Sequence, residues 1–142
     1  MSAEKLYSEI FEEFDQVATR SEKIEVLRKY DHPRFRDFLV MAFNPKIQFE
    51  VEIPNYRPAV EPAGLNWTYL DIEMPRMYRF IKNFPGTENL TPEKRKALLN
   101  VVLESLHKDE AALLVKMINK KLDIKFLTPK IVSESFPGIN VE

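Results

Sequence analysis

Lysines are the side chains in this sequence best suited to chemistry. Lys94, Arg95, Lys96, Lys108, Lys116, Lys120, Lys121, Lys125 and Lys130 fall within residues 91–130, alongside Glu93, Glu104, Asp109, Glu110 and Asp123. Nine bases against five acids leave that window at +4, and the whole chain carries −1, so the remainder carries −5. Ammonium groups at this density suit phosphate. Helix starts at Thr91 and Thr128 would add backbone N–H groups with the same preference. The other reading is an ordinary solvated face. A second cationic pair, Arg34 and Arg36, flanks a helix start at Pro33, where cations oppose the helix dipole. Surface solubility and phosphate contact are again the two readings.

Other chemistry is poorly supplied. The three glycines, Gly64, Gly86 and Gly138, lie too far apart for a phosphate loop. His32 and His107 lack metal-ligand spacing, and the absence of cysteine excludes thiolate sites and disulfides. No serine stands in a nucleophile elbow. Glu73, near Trp67, is a carboxylate that burial could perturb, although a surface or capping role suits it better. His107 reads as a cap or surface residue at an interhelical turn. The expectation is a non-enzymatic protein with no metal and no cofactor.

The elements that must position these lysines are helical. A chain of 142 residues, 44% hydrophobic and 30% charged, is expected to form one domain with a real core. Ten Phe and five Tyr supply bulk for that core. No apolar run approaches the roughly 20 residues needed to span a membrane. The polar start before an amphipathic helix does not read as a signal peptide, so a cytoplasmic protein is expected.

Leu6, Ile10, Phe14 and Val17 form one helical stripe, with an acidic opposite face. Thr19 and Glu22 stand in capping-box relation ahead of Ile24, Leu27 and Tyr30. Pro33 starts a helix with Phe35, Phe38, Leu39, Ala42 and Phe43 along it. Pro75 opens another, carrying Met77, Tyr78, Phe80, Ile81 and Phe84 and closed by Phe84-Pro85-Gly86. Thr91-Pro92 opens the next, with Leu98, Val102 and Leu106 in line. Asp109 can cap a following helix bearing Leu113, Leu114, Met117 and Ile118. Thr128-Pro129 opens the last, which Phe136-Pro137-Gly138 closes. Six or so helices result. The expected core includes Phe14, Leu27, Phe38, Leu39, Phe80, Ile81, Val102, Leu106, Leu114, Ile118, Val132 and Phe136.

Between residues 44 and 64 the helical signal disappears. Ile47, Phe49, Val51 and Ile53 alternate with Gln48, Glu50 and Glu52, which predicts an extended or short β arm near residues 47–72. Prolines around it exclude a central strand. The arm could pair as a hairpin with residues 65–72, or drape over the helices. The fold class is therefore mainly α, a compact multi-helix domain spanning residues 1–142 with that arm.

Residues 113–118, then Lys120-Lys121-Leu122, a short turn, residues 128–135 and Phe136-Pro137-Gly138 resemble the end of the N-terminal DNA-binding domain of ATP-dependent DNA ligases, particularly those of T-even phages. Residues 10–29 and 35–43 are similar to that family's opening helices. The family's catalytic Lys-x-Asp-Gly is absent, so nucleotidyl transfer is not implied. Its turn glycine is absent too, and Asp123-Ile124-Lys125-Phe126-Leu127 stands in that place. The resemblance implies an all-helical, stand-alone binder of duplex DNA in a phage-infected bacterial cell. Lys120, Lys121, Lys125, Thr128 and Lys130 would contact phosphates without strong sequence preference. The competing expectation is a protein-interaction or structural module that kept the fold and lost DNA binding, with a partner on the Pro-rich arm, residues 44–67. Neither reading involves a membrane.

Overall fold

A computed structural model describes residues 5–58 and 68–142. Its first helix, α1 (Tyr7–Gln16), starts without a cap of its own, because Leu6 has no side-chain acceptor. Glu9 accepts from the Leu6 N–H at 2.9 Å. The first two helical N–H groups are taken by a carboxylate distant in sequence: Glu110 accepts from Tyr7 N at 3.3 Å and from Ser8 N at 2.7 Å. These donors have no partner within the helix, so the borrowed acid satisfies groups that would otherwise be buried unpaired.

The later starts are local. In α2 (Arg20–Lys29) Thr19 and Glu22 form the expected capping box, with Glu22 N to Thr19 Oγ1 at 3.2 Å and Thr19 N to Glu22 Oε1 at 3.1 Å. In α3 (Pro33–Phe43) the His32 Nδ1 accepts from Arg34 N. A short helix, α4 (Leu70–Glu73), runs on into a 3-10 helix, Met74–Phe80. Thr91 caps α5 (Pro92–Ser105). Of the two residues read as caps there, His107 and not Asp109 caps α6 (Lys108–Ile118): its ring nitrogen accepts from the Asp109 N–H. Thr128 caps α7 (Pro129–Ser135) as expected.

Helix α6 packs against α1, α3 and α5, while α2 bridges α1 and α7. Phe14, Phe35, Phe38, Phe80 and Phe136 are all under 2% exposed and fill the space between them. Tyr7 meets Phe35 and Phe38 edge-on, with centroids 5.1 and 5.2 Å away. All twelve expected core residues are buried. The stripe on α1 is rotated from the expected one. Tyr7 and Phe11 are buried with Ile10 and Phe14, whereas Leu6 and Val17 are only partly covered. The helix expected from Pro75 ends at Phe80, short of Phe84, and Tyr78 and Phe84 are 42% and 39% exposed.

The fold is mainly α, but no strand forms among the described residues. Residues 48–58 lie over the helices with one antiparallel bridge, Phe49 to Ile81, and with Glu52 paired to Lys96 at 2.7 Å and Arg57 N donating to Glu104 at 3.2 Å. Glu50 N donates to Phe80 O at 2.8 Å and Lys82 N to Gln48 O at 2.7 Å. Among the described residues 68–72 no hairpin partner forms: Leu70–Glu73 is helical and Thr68 bridges Leu106 in parallel. The rest of the expected arm, residues 59–67 with Trp67, lies outside the described residues. Phe49, Val51, Ile53 and Tyr56 pack on the core, so the alternation marks a half-buried drape. No helix among the described residues is long and apolar enough to cross a membrane.

Candidate nucleic-acid interface

Four lysines of the window, Lys120, Lys121, Lys125 and Lys130, lie in or next to the turn between α6 and α7, while Arg95 and Lys96 on α5 pair with Glu50 and Glu52. Helix α6 ends in a Schellman arrangement: Lys121 N donates to Lys116 O at 2.9 Å and Lys120 N to Met117 O at 3.0 Å. That motif puts Lys120 in the left-handed region, φ 60°, where glycine is usual. Its side chain turns inward. The Lys120 ammonium donates to Met41 O and, at 2.8 Å, to Asn44 O, so it closes the C-terminal end of α3. Burial pushes its pKa down. Lys120 therefore holds the turn to the body instead of facing solvent.

Beyond it the turn is fixed by two buried leucines, Leu122 and Leu127. Between them Asp123 and Phe126 also take left-handed backbone, φ 53° and 67°. Lys121, Lys125 and Lys130 are exposed. Among the described residues none of the three is ion-paired, and the same holds for Lys94, Lys108 and Lys116. Half of the twelve cations earlier in the chain are ion-paired among the described residues. Arg20 pairs with Glu134 at 2.7 Å, Lys29 with Glu13 at 2.8 Å and Arg36 with Asp31 at 2.6 Å. The Thr128 hydroxyl oxygen accepts from Ile131 N, so its first role is the cap.

One side of this turn is acidic. Lys116 and Lys125 line a groove of about 480 Å³ between α1 and α6, together with Glu12, Asp15, Asp109 and Asp123. Four carboxylates against two lysines disfavour a polyanion along the groove itself. Lys121 and Lys130 do not line that groove.

Arg34 and Arg36 are engaged elsewhere. Arg36 grips Asp31 with two hydrogen bonds of 2.6 and 2.7 Å, which hold the Asp31 carboxyl below its usual range. Arg34 donates to Asp71 O at 3.3 Å. The Asp71 carboxylate also accepts from the Tyr7 hydroxyl at 2.8 Å and lies 3.4 Å from His32 Nδ1. Burial, and then the Asp71 hydrogen bond, push the Tyr7 pKa up. This Tyr7–Asp71–Arg34 cluster was missed in the sequence, where nothing in the spacing joins α1 to α4. Glu73 is buried and accepts from Thr68 Oγ1 at 3.2 Å and from Arg76 at 3.3 Å. Among the described residues no three His, Asp or Glu side chains gather as metal ligands.

Helices packed around α6, with an extended drape and no sheet among the described residues, make this an all-α domain. The model of a protein family of unknown function, DUF6433, matches residues 10–124, and the chain belongs to that family. No curated protein matches it. The matched stretch includes Lys120 and Lys121 and stops short of Lys125, Thr128 and Lys130.

Proposed function

We propose that this protein is a non-catalytic DNA-binding module that holds the phosphate backbone of duplex DNA without strong sequence preference. Lys121 and Lys130 make the main contacts, Lys125 adds a weaker one beside the acidic groove it lines, Thr128 caps the helix that carries Lys130, and Lys120 fixes the turn that presents them. The observation that carries the reading is that the exposed Lys121, Lys125 and Lys130 stand without an ion pair among the described residues, whereas cations such as Arg20, Lys29 and Arg36 are held by carboxylates. The resemblance to ligase DNA-binding domains supports the same assignment and supplies the setting of a phage-infected bacterial cell. Phosphate contacts release counterions, so about three of them give a slope of roughly −3 in log K against log salt. Fluorescence anisotropy with a labelled duplex tests this. Lys121→Glu combined with Lys130→Glu is expected to abolish binding at moderate salt. Absence of duplex binding by the wild-type protein at low salt sinks the reading.

A second reading, a protein-interaction module, is favoured by a different surface. Ile72, Tyr78, Phe84 and Val101 are 46%, 42%, 39% and 63% exposed, and the Tyr78 and Phe84 rings lie 5.4 Å apart. Tyr78 and Phe84 stand on either side of Ile81, which bridges Phe49 of the Pro-rich arm, residues 44–67, the partner surface in that case.

A further inference from the structure

The α6–α7 turn holds one large apolar side chain out in solvent. Phe126 is 60% exposed, and its φ of 67° lies in a region that bulky residues rarely adopt. A turn that had only to reverse the chain would be better served there by Gly, Asn or Asp. The ring is also held in place. The Lys23 ammonium lies 5.4 Å from its centroid. Lys23 is itself 5% exposed, donates to Phe14 O at 2.8 Å and sits 4.8 Å from the Phe14 ring. A buried cation thus ties the exposed ring to the body. A second cation, exposed Lys125, stands 5.2 Å from the same ring. Buried Leu122 and Leu127 pin the backbone on both sides.

We propose that Phe126 is a stacking residue for an unpaired base, so that the preferred ligand is DNA containing unpaired bases rather than continuous duplex. The inference rests on the DNA-binding reading above and narrows its substrate. Proteins that hold single strands combine an aromatic face for the base with cations for the backbone, and such stacking tolerates any sequence. Here the ring supplies the face, the exposed Lys125 ammonium moves off it to a flanking phosphate, and Lys121 takes another. The competing role, a lid over Lys23, needs only an apolar side chain. Leucine serves as a lid and lacks the π face, so it separates the two.

The test compares labelled DNAs of one sequence, one a continuous duplex and one with a bubble of unpaired thymines, at low salt. The wild-type protein is expected to prefer the bubble. Phe126→Leu, checked for folding by circular dichroism, should weaken bubble binding roughly tenfold and leave duplex binding nearly unchanged. Phe126→Trp should keep the preference, and its emission, taken as the difference from the wild-type signal of Trp67, should be quenched by the bubble. If the wild-type protein binds both DNAs equally and Phe126→Leu alters neither, the stacking role is overturned while DNA binding stands. Should Phe126→Leu fail to fold, an unquenched Phe126→Trp overturns the role by itself. Binding to neither DNA removes both readings together.

Discussion

Two turns in this protein share the tripeptide Phe-Pro-Gly. In both, the glycine takes the same left-handed backbone, φ 90° at Gly86 and 89° at Gly138. The aromatic residues do not share a fate. Phe136 is 1% exposed, wedged under α7 with the Arg36 guanidinium 5.1 Å from its ring. Phe84 is 39% exposed and leans on Tyr78 at the surface. The reason lies upstream. Phe136 directly ends a helix whose Ile131 and Val132 are buried, so it continues that face. The 3-10 helix stops at Phe80, and Ile81 turns extended to bridge Phe49, which swings Phe84 off the core. Turn chemistry is local, whereas burial is decided by what the neighbouring element packs against.

The largest expected effect separates these two phenylalanines. Phe136→Ala should destabilise the protein by about 3–5 kcal/mol, the range for a fully buried aromatic. Phe84→Ala should cost under about 1 kcal/mol, since much of its surface is already wet. Urea melts of both variants check this, and equal losses would break the comparison.

Adjacent lysines make the same point with charge. Lys120 and Lys121 are identical in type and neighbours in sequence. One closes the end of α3 from inside and the other is solvated. Lys120→Ala should cost roughly 2–3 kcal/mol, because it removes charge-assisted hydrogen bonds and leaves two carbonyls short of a donor. Lys121→Ala should stay within about 0.5 kcal/mol. Lys120→Gly sharpens the contrast. Glycine suits the left-handed backbone better by roughly 1–2 kcal/mol, so it should recover part of the loss but not all. Full recovery in thermal melts would show that the ammonium contacts contribute little.

These pairs also mark how far the sequence could be read. The caps at Thr19, Thr91 and Thr128 were legible because each is a contact three residues long. The apolar stripes of α3, α6 and α7 were legible because their faces pack on one body. The stripe of α1 was misjudged at both ends, Leu6 and Val17, and its cap from Glu110, far along the chain, leaves no local spacing to read. The partner of the arm was not legible, since a single bridge at Phe49 and Ile81 leaves no periodic trace. In the candidate site the charge excess was visible, but the direction of each lysine was not. Lys23 reads as part of a polar helix face, yet it is buried beneath Phe126. A lysine followed by a turn gives no sign of whether its ammonium will meet a carbonyl or water.

The smallest expected effect concerns two glutamates with opposite pH behaviour. Hydrogen bonds from Lys29 and then Tyr30 hold the Glu13 carboxyl below its ordinary range. The stabilisation it contributes is present above the ordinary carboxylate value and is lost as pH falls through the depressed one. At Glu110, burial pushes the pKa up, against the hydrogen bonds from Ser8 and Tyr7 that favour the charged form. A raised acid binds its proton more tightly in the folded state, so its contribution is present below the ordinary value and is lost as pH rises through the raised one. Lowering the pH from neutral should therefore first raise the melting temperature, as Glu110 takes its proton, and then lower it as Glu13 and the Asp31–Arg36 pair are broken. Asp37, also raised by burial, adds to the first phase. Glu110→Gln keeps a carbonyl oxygen for the Ser8 N–H but cannot titrate. It should flatten most of the rise and leave the acid fall unchanged. If Glu110→Gln melts with the wild-type rise intact, the buried cap of α1 is not its source, and Asp37 is the next carboxyl to replace.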